Sequence, residues 1–105
     1  SGISIATQGS GKTSVEKNTV GARGLGNQDG IVLSSGIAWF DENKVEYNLK
    51  TGVLVDSGAG LGSFLKNTSR FHSTCDYDLR GPVVDRGSNK ATSGSVALTS
   101  GKCVL

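Results

Sequence analysis

Few residues in this chain can do chemistry, and they are scattered. His72 is the only histidine among the 105 residues. Arg70 stands just before it, Arg80 follows, and Glu42 and Glu46 lie upstream. A carboxylate base, an imidazole and a guanidinium for an anion form the set a small secreted ribonuclease would use. In a strand, Arg70 and His72 fall on one face, opposite Cys75 and Tyr77, so both could reach a common cleft. The same alternation also sends both simply to water. Ser-His-Asp catalysis is formally available, but every serine sits in a Ser/Gly stretch and none is singled out.

Cys75 is spaced from His72 like one metal ligand from another, with Asp76 and Cys103 able to complete a set. Structural metal sites, however, present two close-spaced pairs, and Cys103 has no such neighbour. A Cys75–Cys103 disulfide accounts for both cysteines and contributes about 3 kcal/mol in the chain-entropy description. It also implies an oxidising compartment, so the expected location is secreted or extracellular. Asp76, Asp78 and Asp85 match a calcium loop only in part and read as solvated acids. No metal and no cofactor is expected.

Residues 6–13, Ala-Thr-Gln-Gly-Ser-Gly-Lys-Thr, fit a relaxed phosphate-loop spacing. Val53–Asp56 even resembles the strand that ends in a metal-holding Asp. Such a loop must open a helix whose N–H groups face the anion. Residues 14–26 carry no helical period, and the chain is short for a parallel sheet covered on both faces. Nucleotide binding is therefore not expected.

Trp39 beside Phe40 is the largest apolar pair, and one of the two should face outward. Trp is a residue type that dominates binding energies, so Trp39 is a candidate contact. Asn67-Thr68-Ser69 is a glycosylation sequon, which marks Asn67 as a possible modification site on a surface loop. The 85–94 segment lacks apolar content and offers Arg86, Asn89 and Lys90 as loop contacts. The Gly-rich segment 21–30 is a second candidate loop.

These residues must be positioned by short elements. Apolar residues make up 35% of the chain, and 16 glycines bring the total to the usual range for a small core. Net charge is +2, which gives no case for nucleic acid or an anionic membrane. No apolar run is long enough for a membrane-spanning helix. Apolar residues recur in short runs punctuated by Gly, Ser, Asn and Asp, the signature of strands and turns. Residues 8–30 read as mostly loop. Residues 31–56 read as an antiparallel meander with Val45, Tyr47 and Leu49 inward and Asn48 wet. Phe64-Leu65 reads as the one possible helical turn. No internal repeat is evident.

The expected architecture is a single all-β domain over 1–105. It would be a small antiparallel β-sandwich or partly open β-barrel with one disulfide. The expected function is a secreted, non-catalytic recognition protein of effector, virulence or toxin type, or a surface-interaction domain. It would bind a protein or cell-surface partner through loops. The alternatives are the His72 ribonuclease and a structural subunit that assembles through strand edges.

Overall fold

The computed structural model describes residues 2–24 and 26–105. It is all-β, with thirteen strands and no helix among those residues. The strands are wound as a β-solenoid. The first coil contains β1 (Ile3–Ala6), β2 (Lys12–Glu16) and β3 (Thr19–Val20). The second contains the long β4 (Asp29–Asp41), which turns through two faces, and β5 (Lys44–Glu46). The third holds β6 (Thr51–Val55), β7 (Ala59–Leu65) and β8 (Thr68–Arg70). The fourth holds β9 (Cys75–Leu79), β10 (Val83–Asp85) and β11 (Lys90–Ala91).

Equivalent strands pair in parallel from coil to coil. On the first face Ile3 pairs with Ile31, Ile31 with Val53, and Val53 with Tyr77. On the second, Val15 pairs with Phe40, Phe40 with Phe64, and Phe64 with Asp85. On the third, Lys44 pairs with Thr68 and Thr68 with Lys90.

This corrects the antiparallel sandwich or barrel. A parallel neighbour needs a connection of a dozen or more residues. Here the other two faces of the coil supply that connection, so no crossover helix is required. Each sheet buries only its inner face, so the chain need not cover both sides.

Short period-2 strands fill the interior. Ile31, Leu33, Val55, Phe64, Tyr77 and Leu79 are fully buried. Phe40 stacks on Phe64 with ring centroids 4.7 Å apart, and Phe64 meets Tyr77 edge-on at 6.0 Å. The buried Tyr77 hydroxyl donates to the Lys90 carbonyl at 2.9 Å.

The corner between the second and third faces is the same in every coil. A residue with left-handed backbone comes first: Lys17 (φ 52), Glu42 (φ 58), Lys66 (φ 55) and Ser88 (φ 59). An asparagine follows each: Asn18, Asn43, Asn67 and Asn89. These asparagines are 25, 24 and 22 residues apart and form a hydrogen-bonded ladder. The chain therefore does carry an internal repeat, of one coil per unit.

The end at coil 4 is closed. Strand β12 (Gly94–Ser95) folds back antiparallel on β11, and β13 (Lys102–Val104) runs antiparallel along β9. Between them Leu98 is buried, and its N–H donates to Asp85 at 2.9 Å. Desolvation works against the Asp85 carboxylate, but the N–H groups of Leu98 and Gly87 and the Asn89 amide outweigh it. Its pKa falls below the ordinary carboxylate value. The Cys75–Cys103 disulfide pins β13 to β9, with Cα atoms 5.4 Å apart. At coil 1 the outer edges of β1, β2 and β3 have no neighbouring strand among the described residues.

Several local expectations change with the fold. Residues 12–16 and 19–20 are strands within the stretch read as loop. Phe64 and Leu65 lie in β7, not in a helical turn. In the 31–56 region Val45 is buried, but Leu49 is 60% exposed and Asn48 only 3%. The alternation ends because β5 stops at Glu46 and Tyr47 turns the chain with φ 56.

Candidate functional site

Each polar residue singled out by type now has a definite place. Asn67 is 2% exposed and its amide is fully engaged. Its Nδ2 donates to the Phe40 carbonyl at 2.8 Å and to Asn89 Oδ1 at 3.0 Å. Its Oδ1 accepts from the Asn43 N–H at 3.0 Å and from Asn43 Nδ2 at 2.9 Å. The sequon asparagine is thus closed to modification in the folded chain. Asn89, expected as a loop contact, is likewise buried at 1% exposure and donates to Phe64 O and Asp85. The 85–94 segment is not a free loop, because it carries this ladder position and β11.

His72 belongs to a second ladder. The Asn27 N–H donates to Asn48 Oδ1 at 3.0 Å, and the Asn48 N–H donates to His72 Nδ1 at 3.1 Å. His72 Nε2 lies 3.1 Å from the Val45 carbonyl, which can only accept, so Nε2 carries the proton. The Ser69 hydroxyl, also 3.1 Å from Nε2, donates to the Asp76 carbonyl. Burial dominates the His72 environment and lowers its pKa. Glu46 and Arg70 do lie on the adjacent strands, but they pair with each other. Arg70 Nε donates to Glu46 Oε2 at 2.9 Å. The base, imidazole and guanidinium therefore come near one another, with their polar atoms committed to internal partners.

Trp39 and Arg86 are brought together on the outer side of the second face. Trp39 lies in β4 between Ser14 of β2 and Ser63 of β7. These two small neighbours leave room for the indole on the outer side of the sheet, where it is partly exposed. Lys12 reaches over it from coil 1, with Nζ 3.5 Å from the ring centroid. Arg86 reaches over it from beyond β7, with its guanidinium carbon 4.3 Å from the centroid. Arg86 is itself held: Nε donates to Ser63 Oγ at 2.6 Å, and Nη2 donates to Asp41. Cation–aromatic contacts of this kind are worth about 0.5–2 kcal/mol each, depending on desolvation. Lys12, the phosphate-loop lysine by spacing, is thus a strand residue on an aromatic ring.

Lys90 does not join this cluster. It is exposed on β11 of the third face, and its carbonyl receives the Tyr77 hydroxyl. Among the described residues no group of three His, Cys, Asp or Glu side chains gathers as a metal site.

The sequence reading missed Lys12 and Asp41 as members of the Trp39 cluster. The coil repeat was the signal for them, because it places Lys12 and Ser14 beside the Ile37-to-Trp39 stretch. No protein-family model, curated protein or solved structure matches the chain, so the candidate site rests on this geometry alone.

Proposed function

We propose that the chain is a non-catalytic recognition module, secreted or extracellular, that contacts its partner through the outer side of the second face. The observation that carries this reading is the Trp39 cluster. The one tryptophan of the chain stands partly exposed on the outer side of a sheet, with Lys12 and Arg86 over its ring and Asp41 fixing Arg86. Large aromatic and Arg side chains supply contact area with little ordering cost when they are already positioned. Rigid side chains on a solenoid face, rather than flexible loops, are then the contact surface. The commitment of both His72 nitrogens to main-chain partners supports a recognition role over the ribonuclease.

Trp39 fluorescence tests this directly, because no other tryptophan contributes. A cell-surface extract or partner protein should shift its emission in the unaltered chain, and capture of the partner on immobilised protein, which needs no tryptophan signal, should be abolished by Trp39→Ala and by Arg86→Ala with the fold intact. Binding unchanged in both variants refutes the reading.

A second reading is favoured by one specific observation. Asn18 donates its N–H and Nδ2 to Asn43 Oδ1 at 3.1 and 3.0 Å. Its own Oδ1 stands where the next rung of the ladder would donate. Together with the free edges of β1, β2 and β3, this suits assembly by strand addition. Sedimentation over a wide concentration range tests it. The Lys17 N–H bonds inward to Asp41, so the N–H of exposed Glu16 lies on the free edge of β2. Concentration-dependent oligomers lost on capping that edge with Glu16→Pro support the reading, and a monomer throughout refutes it.

A further inference from the structure

We infer that the corner after the third face is a docking strip for a short acidic peptide segment with apolar anchors. Two aromatic residues occupy equivalent positions there. Tyr47 follows β5 and Phe71 follows β8, and their rings stack with centroids 5.1 Å apart. Both have left-handed backbone, φ 56 and φ 66. That conformation is unfavourable for bulky side chains, and such strain clusters at functional positions. It turns both rings outward, leaving Phe71 43% exposed. Leu49, two residues past Tyr47, is 60% exposed. Ser73 fixes this segment by donating to the Leu49 carbonyl at 2.5 Å.

The charges at the strip are asymmetric. Arg23 lies over the Tyr47 ring at 5.0 Å and donates to the Tyr47 hydroxyl at 2.9 Å. Arg70 lies over Phe71 but is neutralised by Glu46. Among the described residues no carboxylate pairs with Arg23 or Lys50. The strip therefore presents Arg23, with no carboxylate partner among the described residues, beside an apolar surface of Tyr47, Leu49 and Phe71.

A polyanion would have to lie over the apolar rings, which offer it no charge, and the next cations, Arg70 and Lys44, already share Glu46. A peptide with one or two carboxylates and apolar side chains on the same side matches both parts. Arg23 and Phe71 are separated by about two strand spacings, roughly 10 Å, which three residues of extended chain span. This surface is separate from the Trp39 cluster, so the two proposals fail independently.

The test uses the full oxidised chain, labelled with ¹⁵N, titrated with the peptide acetyl-Asp-Glu-Ser-Leu-Ser-Phe-amide. Two controls accompany it: the same peptide with Lys in place of both acids, and dextran sulfate. Shifts of amides in segments 22–24, 47–50 and 70–73 are expected. Arg23→Glu should weaken binding about tenfold or more, as loss and reversal of a contacting charge does. Leu49→Ser should weaken it several-fold, and Trp39→Ala should leave it unchanged. Spectral dispersion verifies that each variant is folded. The proposal is overturned by an absence of shifts at about 2 mM peptide, beyond weak specific affinity. Shifts confined to other faces overturn it as well. So does binding of the Lys peptide or of dextran sulfate as strong as that of the acidic peptide, or insensitivity to Arg23→Glu.

Discussion

Replacing Asn67 by Ala should be among the most damaging single changes in the chain. Asn67 is an interior rung of the asparagine ladder, and its side chain makes hydrogen bonds to both neighbouring coils. Alanine leaves the Asn43 N–H and one Asn43 amide hydrogen without their acceptor. It also deprives the Phe40 carbonyl of its donor. Asn43 and Phe40 are both buried, so water cannot substitute. An orphaned buried polar group costs about 1–3 kcal/mol. Two or three such groups give about 3–6 kcal/mol, a large share of the stability of an ordinary small domain. Asn18 sits at the end of the ladder and donates only to Asn43, whose Oδ1 keeps the Asn18 main-chain N–H. Asn18→Ala should therefore cost about 1 kcal/mol, the net worth of one ordinary hydrogen bond. Urea unfolding of the oxidised protein at pH 7, followed by Trp39 fluorescence, measures both. Equal costs at the two positions, or a loss below about 1 kcal/mol for Asn67→Ala, would refute the ladder reasoning.

Three further outcomes follow from the same geometry. The His72 pKa is lowered on folding by burial, so the unfolded chain takes up its proton first. The stabilising contribution of His72 is full above about pH 6.5, the unfolded value, and is lost as pH falls toward the depressed folded value. His72→Asn should keep an acceptor for the Asn48 N–H and remove that step from the stability–pH curve, whereas a step of unchanged size in the variant would contradict the assignment. Gly52→Ala should destabilise by about 1–3 kcal/mol or more, because its Cβ would lie 2.0 Å from Ser69 Oγ and 2.5 Å from His72 Nε2. Gly11→Ala, with nothing within 4 Å, should be neutral in the same melt; equal effects would mean that this corner of the coil is misplaced. Cys103→Ser should cost about 3 kcal/mol. It should also expose β9 amides to hydrogen exchange as β13 loosens, and unchanged protection would show that the cap holds without its disulfide.

The all-β character, the turn-rich spacing and the disulfide were legible in the sequence, but β2, β3 and β7 were not. Ile31, Leu33, Val53 and Val55 alternate as inward residues should, and the two cysteines had no better use than each other. Pairing direction was not legible. Short period-2 segments fit a meander and a solenoid equally well, and the two differ only in what the next strand neighbours. The repeat would have decided it, but it is carried almost entirely by Asn18, Asn43, Asn67 and Asn89, at unequal intervals. Asn67 and Asn89 were read by local composition, one as a sequon and one as loop. Buried Asn is uncommon unless its amide is fully paired, and such pairing needs equivalent residues one coil away. His72 was misleading for a related reason, since it occupies an asparagine-like rung as an acceptor. Trp39 and Arg86 were both named as contacts, yet their meeting across β7 depends on coil register.

The most direct test of the account is hydrogen exchange of the asparagine side-chain amides, read by NMR on the oxidised protein. The stacked ladder predicts that the Asn43, Asn67 and Asn89 amide hydrogens exchange only through global opening, while that of the exposed-end Asn18 exchanges faster. A through-bond coupling between Asn43 Nδ2 and the Asn67 side-chain carbonyl should be detectable. Exchange of the Asn67 amide as fast as that of Gln8, together with no such coupling, would contradict the four-coil stack and every assignment that rests on it.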